Sequence, residues 1–144
     1  MDIRPLTESY AVAPQLEPAD MAALAAQGVT TIICNRPDPE ITPDLHAAQM
    51  QAAAEAAGLE FVFNPIVGGA MTMANVEEQA DAIAGADGPV VAYCASGNRS
   101  SIVWALTQAG QLPTDEILAA TRAAGYMLDG MRPQIDALAA NPRG

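Results

Sequence analysis

The chain is predicted to adopt an α/β fold in which a mainly parallel central sheet is flanked by helices. Three observations point there. Strand-like and helix-like segments alternate along the sequence. The run VTTIICN is short and apolar on both faces, as a buried strand of a parallel sheet is. The composition is rich in alanine and holds only 4% aromatic residues, which favours helices packed on a sheet.

In chain order, SYAVAPQ (9–15) reads as a short strand, and EPADMAALAAQG (17–28) as a helix opened by Pro18 and closed by Gly28. VTTIICN (29–35) is a β-branched run and the second strand. RPDPEITPD (36–44) follows as a loop whose three prolines break regular structure. LHAAQMQAAAEAAG (45–58) is the longest helical pattern and ends at Gly58. LEFVFNPI (59–66) is the third strand, GGAMT a loop, ANVEEQADAIAGA (74–86) a helix, and GPVVAYC (88–94) the fourth strand. SSIVWALTQAG (100–110), TDEILAATRAAG (114–125) and MRPQIDALAAN (131–141) read as three final helices.

A length of 144 residues with 51% hydrophobic content fits one domain over residues 1–144, with a core that needs no staples. The net charge is −11, with six arginines and no lysine, so the electrostatic footprint of a nucleic-acid or anionic-membrane binder is missing. No apolar run approaches membrane-spanning length and the N-terminus lacks a leader pattern, so a cytoplasmic location is expected. Two cysteines make no disulfide framework and a single histidine anchors no zinc site of the usual kind; no metal, flavin or other cofactor is called for.

Ligands of parallel α/β sheets sit beyond the carboxyl ends of the strands. Cys94 lies at one such end, and the loop opened by Arg36 at another. In VVAYCASGNRSS the segment Ala95, Ser96, Gly97, Asn98 and Arg99 is expected to curl around the Cys94 sulfur. Its N–H groups and the dipole of the helix starting near Ser100 would stabilise an accessible thiolate, the reactive form of cysteine. Gly97 permits the turn, while Ser96 and Asn98 shape the loop. Arg99 adds a planar, multi-donor cation able to grip an anion. Ser100 is expected either to donate to the thiolate or to act as an N-cap. These residues describe an anion cradle with a nucleophile at its floor.

Around this cradle, Arg36 is expected to contribute to anion binding or to pair with Asp38 or Glu40. Cys34 reads as a packed strand residue, with a resolving thiol as the alternative. His46 reads as scaffolding. GGAMTM (68–73) is a candidate pocket rim, Trp104 and Tyr126 read as packing residues, and Tyr93 as a candidate pocket wall.

YCASGNRSS, TIICNRPDPE upstream and PIVGG between them resemble a bacterial family of small domains with the dual-specificity phosphatase fold. That family carries both sulfur-transferase and phosphatase labels and forms the N-terminal part of beta-lactamase hydrolase-like proteins. The resemblance spans residues 3–112 and implies a cysteine-phosphatase-like fold with the cysteine loop between a strand and the next helix. Two departures stand out. Tyr93 replaces the histidine that usually precedes the cysteine, and four residues, not five, separate Cys94 from Arg99. A shorter loop narrows the ring of amides available to a phosphate and is similar to that of rhodanese-type sulfurtransferases. The aspartic acid that protonates the leaving oxygen in the related phosphatases comes after the strand corresponding to EFVFNPI, yet residues 64–75 contain no Asp, Glu or His. Asp38 or Glu40 would have to substitute.

These features favour sulfane-sulfur transfer through a Cys94 persulfide, which needs no such acid. The expected partners are then a small anionic or sulfane-sulfur substrate and an acceptor thiol. The resemblance adds a persulfide-processing, metallo-hydrolase-type partner. The alternatives are a phosphatase acting through a Cys94 phosphoenzyme and a non-catalytic anion-binding module.

Overall fold

The computed structural model describes residues 1–140. The predicted end of the last helix at Asn141 and the last residues of the expected domain lie outside the described residues. Five strands form one sheet: β1 (Arg4–Pro5), β2 (Tyr10–Ala13), β3 (Thr31–Cys34), β4 (Glu60–Phe63) and β5 (Val90–Tyr93), in the spatial order β1-β2-β5-β3-β4. All neighbours are parallel except β1, which pairs antiparallel with β2. The predicted α/β class and mainly parallel sheet are therefore present. The strand at Arg4–Pro5 was not predicted; two residues are too short for any periodicity, and its proline is tolerated because the strand is an edge.

The helices are α1 (Asp20–Ala26), α2 (Ala47–Ala56), α3 (Met73–Ala84), α4 (Asn98–Thr107), α5 (Thr114–Ala123) and α6 (Arg132–Ala140). Each falls inside or within two residues of its predicted segment. The proline-rich loop after β3 is not irregular throughout: it holds two 3₁₀ turns, Asp38–Glu40 and Pro43–Leu45, each with a proline in its first two positions, where the fixed φ suits a helical start.

The period-2 alternation of the strands splits the core into two layers. Val90 and Ala92 of β5 join Tyr10, Val12, Ile33 and Trp104 in a cluster completed by α5 and α6. Val91 and Tyr93 face the other way, into a cluster with Ile32, Cys34, Met21, Leu24 and Met50 from β3, α1 and α2. Tyr10 and Trp104 stack at 6.0 Å, so Trp104 serves packing as expected. Four parallel strands thus end side by side, and the segments leaving β3, β4 and β5 build the site.

Candidate active site

Cys94 comes directly after the last residue of β5, and the chain turns sharply through Gly97, whose φ of +94° lies in the left-handed region that glycine adopts without a Cβ penalty. The Gly97 N–H donates to Cys94 Sγ at 3.1 Å, placing the sulfur within the curl of the loop as the sequence suggests. Ser96 Oγ accepts from the Asn98 N–H at 3.2 Å, so these two residues do shape the turn. The loop is braced from outside. Gln15 donates its N–H to the Ala95 carbonyl, and the Tyr126 hydroxyl donates to the Ser96 carbonyl at 2.8 Å. A Cβ on Gly97 would collide with the Tyr126 hydroxyl. Burial pushes the Tyr126 phenol up, which keeps it a neutral donor. Tyr126 therefore positions the loop, a role its reading as a packing residue missed.

Helix α4 begins at Asn98, two residues earlier than predicted, with Gly97 as its N-cap. Arg99 consequently stands in the first helical turn and Ser100 is not the cap. The Ser100 hydroxyl, fully buried, donates to Asn35 Oδ1 at 2.9 Å, so its proton is directed to that amide and not to the thiol. Asn35 belongs to a buried amide network. Gln79 Oε1 accepts from both Asn35 and Asn64 at 2.9 Å, and Gln79 Nε2 donates to the Tyr10 hydroxyl, which donates in turn to the Ser100 carbonyl. Asn75 donates to Asn64 Oδ1 and to the Pro65 carbonyl, and its own Oδ1 takes part in the capping box with Thr72 that opens α3. The ends of β3 and β4 and the helices α3 and α4 are thereby tied beneath the cysteine loop. The sequence signal was an asparagine directly after each of two strands, Asn35 and Asn64.

The Arg99 fork is occupied. Its Nη1 and Nη2 donate to the two carboxylate oxygens of Glu40, each at 2.7 Å, and Nη1 also donates to the Ile66 carbonyl at 2.8 Å. The arginine cation is reinforced first by the hydrogen bond to Glu40, and further by the neighbouring Cys94 sulfur. The same pair holds the Glu40 carboxyl below its usual range, with Arg36 adding to the effect. Arg36 reaches Glu40 Oε1 at 3.4 Å, donates to the Glu40 carbonyl at 3.0 Å and to Gln15 Oε1 at 3.2 Å. Of the two alternatives for Arg36, the pairing with Glu40 is present, and through Glu40 it stands beside Arg99 at one end of the sheet. Asp38 has a different task, its Oδ1 accepting the Ala47 N–H that opens α2 at 2.8 Å.

Two expectations are corrected here. Cys94 was expected to be accessible, yet with the Arg99–Glu40 pair closed it has 0% exposure. Tyr93 was a candidate pocket wall; strand alternation instead turns it into the α1/α2 cluster, where burial pushes its phenol up and its hydroxyl meets no hydrogen-bond acceptor among the described residues. Cys34, as predicted, is packed: it is 3% exposed, donates to the Arg36 carbonyl at 3.5 Å, and burial pushes its thiol up. His46 is partly buried at the start of α2 and bonds the Ile41 carbonyl at 2.9 Å. Gly69, Met71, Thr72 and Met73 of GGAMTM line a groove beside the cysteine loop, and Met71 also packs on the core.

A buried cysteine delivered from a parallel strand into a tight glycine turn, with an arginine in the first turn of the following helix, defines a protein of the cysteine-phosphatase fold. Tk-PTP in its active form shares that fold, with a TM-score of 0.74 over 99% of this chain and 98% of its own at 16% identity. Residues 2–111 match the phosphatase-like domain of beta-lactamase hydrolase-like proteins, and the chain belongs to that family. A crystallised candidate phosphatase from Neisseria meningitidis is 37% identical, with a TM-score of 0.81 over 95% of this chain and 98% of its own. The Beta-lactamase hydrolase-like protein of Xylella fastidiosa (strain Temecula1) is 33% identical over 130 residues, which are 89% of this chain and 30% of that protein. The chain thus spans about a third of the length of the curated relatives it matches. Among the described residues no helix is long and apolar enough to cross a membrane.

Proposed function

We propose that the chain is a cysteine-dependent phosphatase-type enzyme acting on a small phosphomonoester. The observation that carries this reading is the junction of Cys94, whose sulfur takes the Gly97 N–H at 3.1 Å, with an Arg99 fork that already holds an oxyanion, the Glu40 carboxylate, in a two-pronged grip. Family membership and the 37% identical candidate phosphatase support the choice of phosphorus as the centre attacked. Glu40 occupies the position of the incoming anion, so binding exchanges one oxyanion for another and opens the pair that accompanies the buried thiol. The Cys94 thiolate then attacks phosphorus. The sulfur–phosphorus bond forms, the phosphorus–oxygen bond to the ester group breaks, and its electron pair leaves on that oxygen, which takes a proton from water. Water then cleaves the phosphoenzyme, releasing phosphate and restoring the thiol. Because residues 64–75 supply no acid, esters with weakly basic leaving groups, aryl before alkyl, are the expected substrates.

One observation favours a second reading, sulfane-sulfur transfer through a Cys94 persulfide: the loop between Cys94 and Arg99 has only four residues, Ala95 to Asn98, which limits the amides that can surround three phosphate oxygens. On that reading the acceptor is a thiol, and a metallo-hydrolase-type unit that processes persulfides is a partner that the family resemblance alone suggests. Assaying an aryl phosphate and thiosulfate side by side on the native protein separates the two. Turnover of the phosphate with a trapped Cys94 phosphoenzyme supports the first reading; turnover of thiosulfate alone replaces it with the second. Inserting one residue between Asn98 and Arg99 is expected to widen the cradle and raise phosphate turnover.

A further inference from the structure

Beside the cradle lies a groove of about 400 Å³ that the chemistry at Cys94 leaves unused. Its size falls at the lower end of small-molecule sites, which run from about 300 to 1,000 Å³. Loop residues after β4, the start of α3, one side of α4 and the segment before α6 enclose it. Its walls are mainly apolar, built by Ile66, Met71, Met73, Ile102, Leu106 and Met131 among others, with Thr72 and Gln134 adding polar side chains. Among the described residues lining it, Arg99 is the one charged group.

The arrangement is set by the sequence of α4. Val103, Trp104 and Ala105 are buried in the core, but Arg99, Ile102 and Leu106 recur at helical spacing and line the groove. Leu106 lies seven residue steps along the helix from Arg99, which puts about 10 Å of apolar wall beyond the cation. The opposite rim leaves apolar side chains in water, with Val67 58% and Met73 45% exposed. Three of the chain's seven methionines, Met71, Met73 and Met131, contribute flexible, polarisable side chains that adapt to an inserted group. In a chain of net charge −11, a cation at the end of an apolar trough selects a ligand with a matching division: an anionic head and an apolar body.

We propose that the groove binds the apolar body of the substrate, which is an aryl ester extended by an alkyl-type substituent, with its phosphate head on Arg99 and its substituent running along Ile102 and Leu106. The proposal rests on the reading of Arg99 as the anion clamp, and its test needs no turnover.

Phenylphosphonate and its 4-methyl, 4-butyl and 4-hexyl derivatives carry the head through a carbon–phosphorus bond, so calorimetric titration of the native protein reads binding alone. Affinity is expected to rise about 2- to 4-fold per added methylene, the range for half to full burial. Leu106→Gln and, on the loop after β4, Met71→Gln should flatten that rise, so that the hexyl compound loses the most affinity and phenylphosphonate the least. Arg99→Gln should weaken every member of the series. A flat series in the wild type, an equal rise in the groove variants, or no binding of the hexyl compound overturns the proposal. The first two results leave the phosphatase reading standing, whereas a full rise in a protein that turns over no aryl phosphate removes that reading and keeps the groove.

Discussion

Cys34 ends β3 and Cys94 directly follows the neighbouring parallel strand β5; Cys34 sits in register with Tyr93, so the two thiols differ by one residue of height at the same edge of the sheet. The segment C-terminal to each cysteine decides its chemistry. After Cys34 come Asn35, Arg36 and a proline-rich loop, and the thiol is left in an apolar cluster donating to a carbonyl, with burial pushing it up. After Cys94 come a left-handed glycine and a helix start, and the sulfur instead accepts an N–H and neighbours a guanidinium. A cysteine becomes a nucleophile through donors aimed at it, and strand position alone supplies none.

The largest test of that contrast is exchange of each sulfur for oxygen. Cys94→Ser is expected to lower turnover by at least about 10⁴-fold, the scale for a lost nucleophile. Cys34→Ser should change turnover less than about 3-fold and cost about 1–2 kcal/mol of stability by burying a hydroxyl in an apolar site. Equal losses from both would break the comparison.

Arg99 separates charge from geometry. Arg99→Gln should cost about 10²- to 10³-fold in kcat, the range for a removed oxyanion donor. Arg99→Lys, which keeps the charge and loses the fork, should cost about 10- to 100-fold. Steady-state kinetics of both variants decide whether orientation or charge dominates.

The network beneath the loop has a smaller effect on chemistry and a measurable one on stability. Gln79→Leu leaves the buried amides of Asn35 and Asn64 without their shared acceptor and is expected to cost about 2–4 kcal/mol, read as a lower urea midpoint at unchanged slope. Gly97→Ala should cost about 1–3 kcal/mol from the left-handed φ and the Tyr126 clash. Pairing it with Tyr126→Phe should recover the part due to the hydroxyl, while the ring carbon 2.9 Å from the added Cβ and the left-handed φ keep the rest.

The smallest effect concerns Glu40. Glu40→Gln should raise the affinity for sulfate about 2- to 5-fold at neutral pH, since the ion no longer displaces a partly exposed ion pair. Because Arg99 holds the Glu40 carboxyl below its ordinary range, the pair's contribution to stability is complete above that range and is lost as pH falls through the depressed pKa. Sulfate keeps its charge over this interval, so wild-type affinity should climb toward that of Glu40→Gln as the pH drops, while the variant stays flat.

The sequence made the sheet, the helices and the cysteine loop legible because those features are local: β-branched runs, alanine-rich helical patterns, and a glycine between a cysteine and an arginine. Contacts between distant loops were not legible. Glu40 meets Arg99 across 59 residues and Tyr126 meets Ser96 across 30, and no periodicity encodes either meeting. The place of Ser100 differs from the sequence expectation for a related reason. A glycine N-cap starts α4 early and turns that hydroxyl inward to Asn35, a partner on another strand end. The two-residue strand at Arg4–Pro5 became visible only through its pairing with β2.

The most direct test of the claim that Cys94 is a nucleophile in an arginine-held anion site is competitive alkylation at neutral pH with anionic iodoacetate and neutral iodoacetamide, with each site assigned by mass spectrometry. Cys94 is predicted to react before Cys34 and to favour iodoacetate relative to a free thiol, a preference that Arg99→Gln should abolish. Modification of Cys34 first, or the same reagent preference in the wild type and Arg99→Gln, would contradict the account.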